Sequence, residues 1–199
     1  MTQTSEHATV QAPLIRYAEE AGWTWLEPER ALSLRGGEDG LLLRPVFLEA
    51  VQRLNPGRLD PNRAEDLARR LERVAPNLHG NLEAWEYLRG LKTVFIPEEK
   101  RERNVTLIAP DWRANTYHVT SELRYVSPAV PHPIRLDAVF FINGIPVLLV
   151  ETKAAHKIDG IAEALDQVRR YHRDGAELLA LMQIFALTHL VQFYYGPTW

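Results

Sequence analysis

With 199 residues, 46% of them apolar, the chain can bury one sizeable core, and its net charge of −3 argues against a nucleic-acid binder relying on its own basic surface. The absence of Cys excludes a disulfide framework, a thiolate zinc site and a cysteine nucleophile. No run approaches a membrane span, and the polar start "MTQTSEHATVQ" lacks a signal peptide's apolar stretch, so no membrane partner and a cytoplasmic location are expected.

The front of the chain reads as helical. "ATVQAPLIRYAEEAGW" spaces Val10, Leu14, Ile15, Tyr17 and Ala18 along one helical face, with Gly22 as a stop. "LLLRPVFLEAVQRLNPG" is a second helix, ended by Asn55-Pro56-Gly57. "DPNRAEDLARRLERVAP" is a third, with Pro61 in its first turn and Pro76 beyond its end. "NLEAWEYLRGLK" is a fourth.

From about Phe95 the period changes from helix to strand. "NVTLIAP", "TYHVTSELRYVS", "IRLDAVFFI" and "PVLLVETK" read as strands. A helix "IAEALDQVRRYHRD" follows, then the strands "ALMQIFALT" and "LVQFYYG". The expectation is one α/β domain over 1–199, with a helical N-terminal part over about 1–97 and an α/β core of mixed β-sheet flanked by helices over about 98–199. The apolar "PVLLV" suggests a strand covered on both faces. The stop at "YYGPTW", just after an apolar strand, suggests a piece of a longer polypeptide. "PEEKRERN" is mixed in sign and reads as a solvated loop.

The chemistry gathers where apolar strands carry charge. "VLLVETKAA" runs from core residues into Glu151 and Lys153, and "IRLDAVFFINGIP" holds Asp137 between apolar neighbours. Only four Lys occur against many Arg, which makes Lys153 more informative. On its own, an E-x-K triplet is a strand surfacing with an ion pair worth under about 1 kcal/mol.

Register decides whether Asp137 and Glu151 can meet. Asn143-Gly144 signals a hairpin turn. A strict two-residue loop pairs Ile142 with Ile145 and sets Asp137 opposite Val150, so that Glu151 points to the other side. A three-residue loop with a left-handed Gly144 sets Asp137 opposite Leu149, with Glu151 diagonal to it on the same face. Lys153 shares that face by the period of two. Convergence therefore requires a bulge, expected at the turn or else elsewhere in the hairpin. Two carboxylates on adjacent strands suit Mg²⁺, which is held by one or two carboxylates, water and phosphate oxygens. A Lys beside them can orient water or stabilise phosphate charge.

In the following helix Gln167 and Tyr171 are four apart and share a face. Arg169, Arg170, His172 and Arg173 could meet phosphates, but Asp166 and Asp174 among them make a solvated face the commoner explanation.

"LDAVFFINGIPVLLVETK" followed by "DQVRRY" resembles the nuclease core of the PD-(D/E)xK superfamily, in the branch with a Q-x-x-x-Y motif. More narrowly the chain resembles the N-terminal nuclease domain of type I restriction endonuclease R (motor) subunits, over nearly its whole length. "SEHATVQAPLIRYAEEAGW" and "LRPVFLEAVQRLNP" look like that family's opening helices. The resemblance implies a restriction-endonuclease-like core and Mg²⁺-dependent cleavage of double-stranded DNA. It makes Asp137 and Glu151 metal ligands and Lys153 the residue that positions water or stabilises charge. Gln167 and Tyr171 would support the site or touch DNA, and Glu6 matches a helix glutamate that can approach the metal. Leu136 stands where the motif has Pro, which implies an altered strand entry. Methylation and specificity subunits and helicase-like motor domains are the implied partners. ATP belongs to that motor, since no G-x-x-x-x-G-K-[ST] occurs here. Two other readings stand beside this one: an independent repair or junction-resolving nuclease of the same superfamily, and a non-catalytic docking domain on a nuclease fold.

Overall fold

Helix boundaries in the front half follow from caps and prolines. The computed structural model describes residues 10–154, 160–189 and 192–199. Helix α1 (Ala12–Glu20), α2 (Pro28–Arg35), α3 (Arg44–Leu54) and α4 (Pro61–Leu71) each carry Pro in the first turn, where no N–H is missed. The Asp60 side chain caps α4 by accepting from the Arg63 N–H at 2.9 Å. Asn77 does the same for α5 (Leu78–Leu88), accepting from His79 and Gly80.

A six-stranded mixed sheet organises the rest. Its strands are β1 (Thr24–Leu26), β4 (Tyr117–Tyr125), β5 (Ile134–Ile142), β6 (Ile145–Thr152), β7 (Ile184–Thr188) and β8 (Phe193–Pro197), side by side in that order. The pairs β1/β4 and β6/β7 are parallel and the others antiparallel. Helices α6 (Gly160–Asp174) and α7 (Ala176–Leu181) carry the chain from β6 to its parallel neighbour β7. A separate small hairpin joins β2 (Thr93–Ile96) to β3 (Arg101–Asn104).

Both faces of the sheet are covered. On one, Ile15 and Ala18 of α1 pack on Val119, Ala138, Phe140, Val150 and Ala186. On the other lies the larger core, where residues of α2 to α7 join Val139, Phe141, Leu149 and Leu187. The expected mixed sheet flanked by helices is therefore present, and "PVLLV" is a central strand.

Some local expectations fail for physical reasons. "NVTLIAP" contributes Val105 and Leu107 to the core but forms no strand beyond Asn104, because the Leu107 carbonyl is taken by the Asn143 side chain at 2.7 Å instead of a strand neighbour. The start of "ALMQIFALT" belongs to α7, and β7 begins only at Ile184. Within the helical front, the short "TWL" gains strand structure from pairing with His118–Thr120. Likewise Arg101–Asn104, read as loop, is strand because Thr93–Ile96 pairs with it while its charges face solvent.

Candidate active site

The β5–β6 hairpin builds the site, and its register differs from the one expected. Asn143 (φ 50°) and Gly144 (φ 78°) form a strict two-residue turn, with Ile142 opposite Ile145 and Phe141 opposite Pro146. The expected bulge at the turn is absent. It lies two residues on: Phe140 pairs with Leu148, leaving Val147 as the extra residue. Pro146 sits beside it, at a place where its missing N–H costs no ladder bond. Beyond the bulge Val139 faces Leu149 and Ala138 faces Val150. One step further sets Asp137 level with Glu151, on the same side of the sheet.

A second irregularity lies at the same level. The β4–β5 ladder pairs Ser121 with Ala138 and Leu123 with Leu136, skipping Glu122 and Asp137. Glu122 has φ 53°, a left-handed conformation rare for a long side chain. Ile134 and Leu136 then share the large core with Val139 and Phe141, so the alternation of faces breaks at Asp137. The buried Gln11, at the start of α1, fills the gap: its Nε2 donates to the Asp137 carbonyl at 2.5 Å and to Glu122 Oε1 at 3.1 Å. Arg135 holds the other Glu122 oxygen at 2.9 Å.

The three predicted core residues converge. Glu151 is 0% exposed, and Asp137 and Lys153 are each 8% exposed. The Asp137 Oδ2 accepts from the Thr152 N–H at 2.7 Å and from the Thr152 hydroxyl at 2.8 Å. Lys153 Nζ donates to Glu151 Oε1 at 2.8 Å and to the Thr152 carbonyl at 2.9 Å. Tyr171 of α6 reaches the other side of the same carboxylate, its hydroxyl 3.0 Å from Glu151 Oε2 and 2.5 Å from the Arg135 carbonyl. Gln167 donates to that hydroxyl at 2.9 Å, so the i, i+4 pair acts as a unit.

Burial and the nearby Asp137 charge push the Glu151 carboxyl up to about 8, against the opposing pull of Lys153 and Tyr171. Burial, with both carboxylates, keeps the Tyr171 phenol well above its ordinary range, so it stays a neutral donor. A cation placed between the two buried acids would offset the repulsion that helps raise Glu151. Among the described residues no group of three or more His, Asp or Glu side chains is arranged to hold a metal. Asp137 and Glu151 would then be the protein ligands, with water and substrate oxygens completing the shell, as Mg²⁺ prefers. Glu6 lies outside the described residues.

A model of the type I restriction enzyme R protein N terminus matches residues 3–198. The chain belongs to this family. It is also 33% identical over 117 residues to a protein of Methanocaldococcus jannaschii named "Putative type I restriction enzyme MjaVIIP endonuclease subunit", a match covering 57% of this chain and 10% of that relative. The chain thus spans a small part of the relative's length.

In this member of the R protein N-terminal family, Leu136, where the resemblance would put a proline, is fully buried and pairs with Leu123 inside β5, next to the skipped Glu122–Asp137 pair. On α6, Arg169, Arg170 and Arg173 are exposed, Arg169 is paired with Asp166, and His172 stacks edge-on against Trp199. The acids of "PEEKRERN" are paired, Glu99 with Arg101 and Arg103 of the same stretch and Glu98 with Arg63 of α4. Sequence reasoning missed Gln11, Glu122, Arg135 and Thr152. Glu122 carried one usable signal, since pairing its strand beside β5 in register sets it level with Asp137.

Proposed function

We propose that this domain is the Mg²⁺-dependent endonuclease of a type I restriction system, cutting phosphodiester bonds of double-stranded DNA on a PD-(D/E)xK-like core. The observation that carries this reading is the convergence of Asp137, Glu151 and Lys153 at one end of two adjacent strands, with two carboxyl groups buried there. A structural ion pair would need only Glu151 and Lys153. Burying Asp137 against them costs stability unless a cation restores the balance.

When bound, Mg²⁺ would lower the pKa of a coordinated water and neutralise charge on the phosphodiester. The chain's own residues prepare for this. Asp137 and Glu151 supply hard oxygen ligands from strands fixed in the core. Lys153, tethered by Glu151 and the Thr152 carbonyl, places its ammonium where it can orient water or meet phosphate charge. Tyr171 holds the second Glu151 oxygen, and Gln167 fixes the Tyr171 hydroxyl. Double-stranded DNA, specificity and methylation subunits and an ATP-using helicase-like motor are the proposed partners, and ATP is used outside these residues. The buried acid pair disfavours a non-catalytic docking role. Family membership disfavours an independent repair nuclease.

Titration of this chain with Mg²⁺ by calorimetry tests the reading. Saturable binding is expected, lost in Asp137→Ala and Glu151→Ala, and duplex cleavage by the full-length R protein with its partner subunits should be lost in Lys153→Ala. Unchanged Mg²⁺ binding in both carboxylate variants would sink the assignment.

A further inference from the structure

Thr152, the last residue of β6, stands between Glu151 and Lys153 and touches both sides of the site. Its N–H and its hydroxyl both donate to the same Asp137 oxygen, Oδ2, at 2.7 and 2.8 Å. Its carbonyl accepts from Lys153 Nζ at 2.9 Å. The residue is 1% exposed and pairs with Thr188 at the end of the β6–β7 ladder. A buried strand position of this kind suits Val at least as well as Thr, since Val fits the same space and carries no hydroxyl to desolvate. Among the described residues the hydroxyl's one hydrogen-bond partner is Asp137.

We infer that Thr152 is a positioning residue for Asp137, its hydroxyl and N–H together gripping Oδ2 so that Oδ1 is the oxygen offered to the cation. This rests on the nuclease reading above. Among the described residues Oδ1 accepts no hydrogen bond, whereas Oδ2 has two donors filling its lone-pair directions. Two bonds to one oxygen fix the rotation of the carboxylate plane, which a single bond would leave free. The same residue sets the height of Lys153 through its carbonyl, coupling the acid on β5 to the ammonium beyond β6. Partners that hold a metal's ligands in this way typically matter about 10–100-fold for metal affinity.

The test is Mg²⁺ calorimetry on four forms of this chain: wild type, Thr152→Val, Thr152→Ser and Thr152→Ala, with metal-free melting curves alongside. The Thr/Val and Ser/Ala pairs each differ by the hydroxyl alone, so the second pair decides if one variant fails to fold. Expected are Mg²⁺ affinity within about twofold of wild type for Thr152→Ser, and about tenfold weaker for Thr152→Val and Thr152→Ala. Equal Mg²⁺ affinity within both pairs, whatever the melting temperatures do, overturns the inference. Absence of saturable Mg²⁺ binding by the wild-type chain overturns the nuclease reading beneath it instead.

Discussion

The two ends of the β5–β6 hairpin are opposites in their energetics. At the turn every demand is met. Asn143 is fully buried, yet its Oδ1 accepts from the Thr116 N–H at 2.8 Å and its Nδ2 donates to the Leu107 carbonyl and to Asn115. Gly144 tucks under α3, its carbonyl accepting from the Leu43 N–H at 2.9 Å. At the other end the flanking β4–β5 ladder skips a pair, Glu122 of β4 adopts a left-handed backbone, and two acids share a buried space. The hairpin is thus anchored at one end and meets strain at the other. That is where strain belongs if it serves chemistry.

The largest effect is expected from breaking the anchored end. A Cβ on Gly144 would lie 2.7 Å from the Leu43 carbonyl oxygen and the Phe47 nitrogen, at φ 78°. Gly144→Ala should destabilise the domain by about 3 kcal/mol, measured by urea denaturation. A wild-type midpoint would mean that the turn does not anchor the hairpin.

At the strained end the sign reverses. Glu151→Gln should abolish Mg²⁺ binding yet stabilise the metal-free domain at pH 8. The folded carboxyl titrates at about 8, whereas an unfolded glutamate titrates near about 4.3. Between those values the folded state holds a proton that the unfolded state has released. Wild-type stability should therefore fall as pH rises from about 4 to 8, and the fall should flatten in Glu151→Gln. Melting temperatures across that range decide it, and parallel curves would refute the buried-charge account.

A smaller effect is expected at Tyr171, which touches this end from α6. Tyr171→Phe removes the donor shared by Glu151 and the Arg135 carbonyl and should cost about 1 kcal/mol. Gln167→Leu alone should cost less, because Tyr171 keeps its own acceptors.

How far this contrast could be read from sequence depends on distance along the chain. Asp137, Glu151 and Lys153 lie within one hairpin, and Gln167 and Tyr171 within one helical turn of each other, so periodicity with an assumed bulge grouped each set, while joining the two sets rested on the family resemblance. The bulge was foreseen but misplaced. Pro146 inside an apolar strand was the clue to its true position, since a residue without an N–H sits at little cost next to a bulge. Gln11 meets Asp137 across 126 positions, and Glu122 across 111. No pattern in one sequence encodes such a pairing before the registers of β4 and β5 are known. The missed strand β1 has the same origin, because three residues become a strand only through their partner. Helices α1, α3, α4 and α5 were legible because their prolines and the Asp60 and Asn77 caps act locally, whereas α2 was missed because it buries only Ala31 and Arg35 and carries no apolar stripe.

The extra residue at Val147 also bears on how this hairpin can change in length. Most surface loops absorb an insertion at small entropic cost. Here both arms are counted from the turn and from Val147, and side chains change faces with every step. Adding or deleting one residue between Phe140 and Leu148 would exchange the inward and outward sets of one strand, turning Glu151 away from Asp137 while leaving composition almost untouched. Substitutions along this stretch can be tolerated one at a time, whereas length is held fixed by parity.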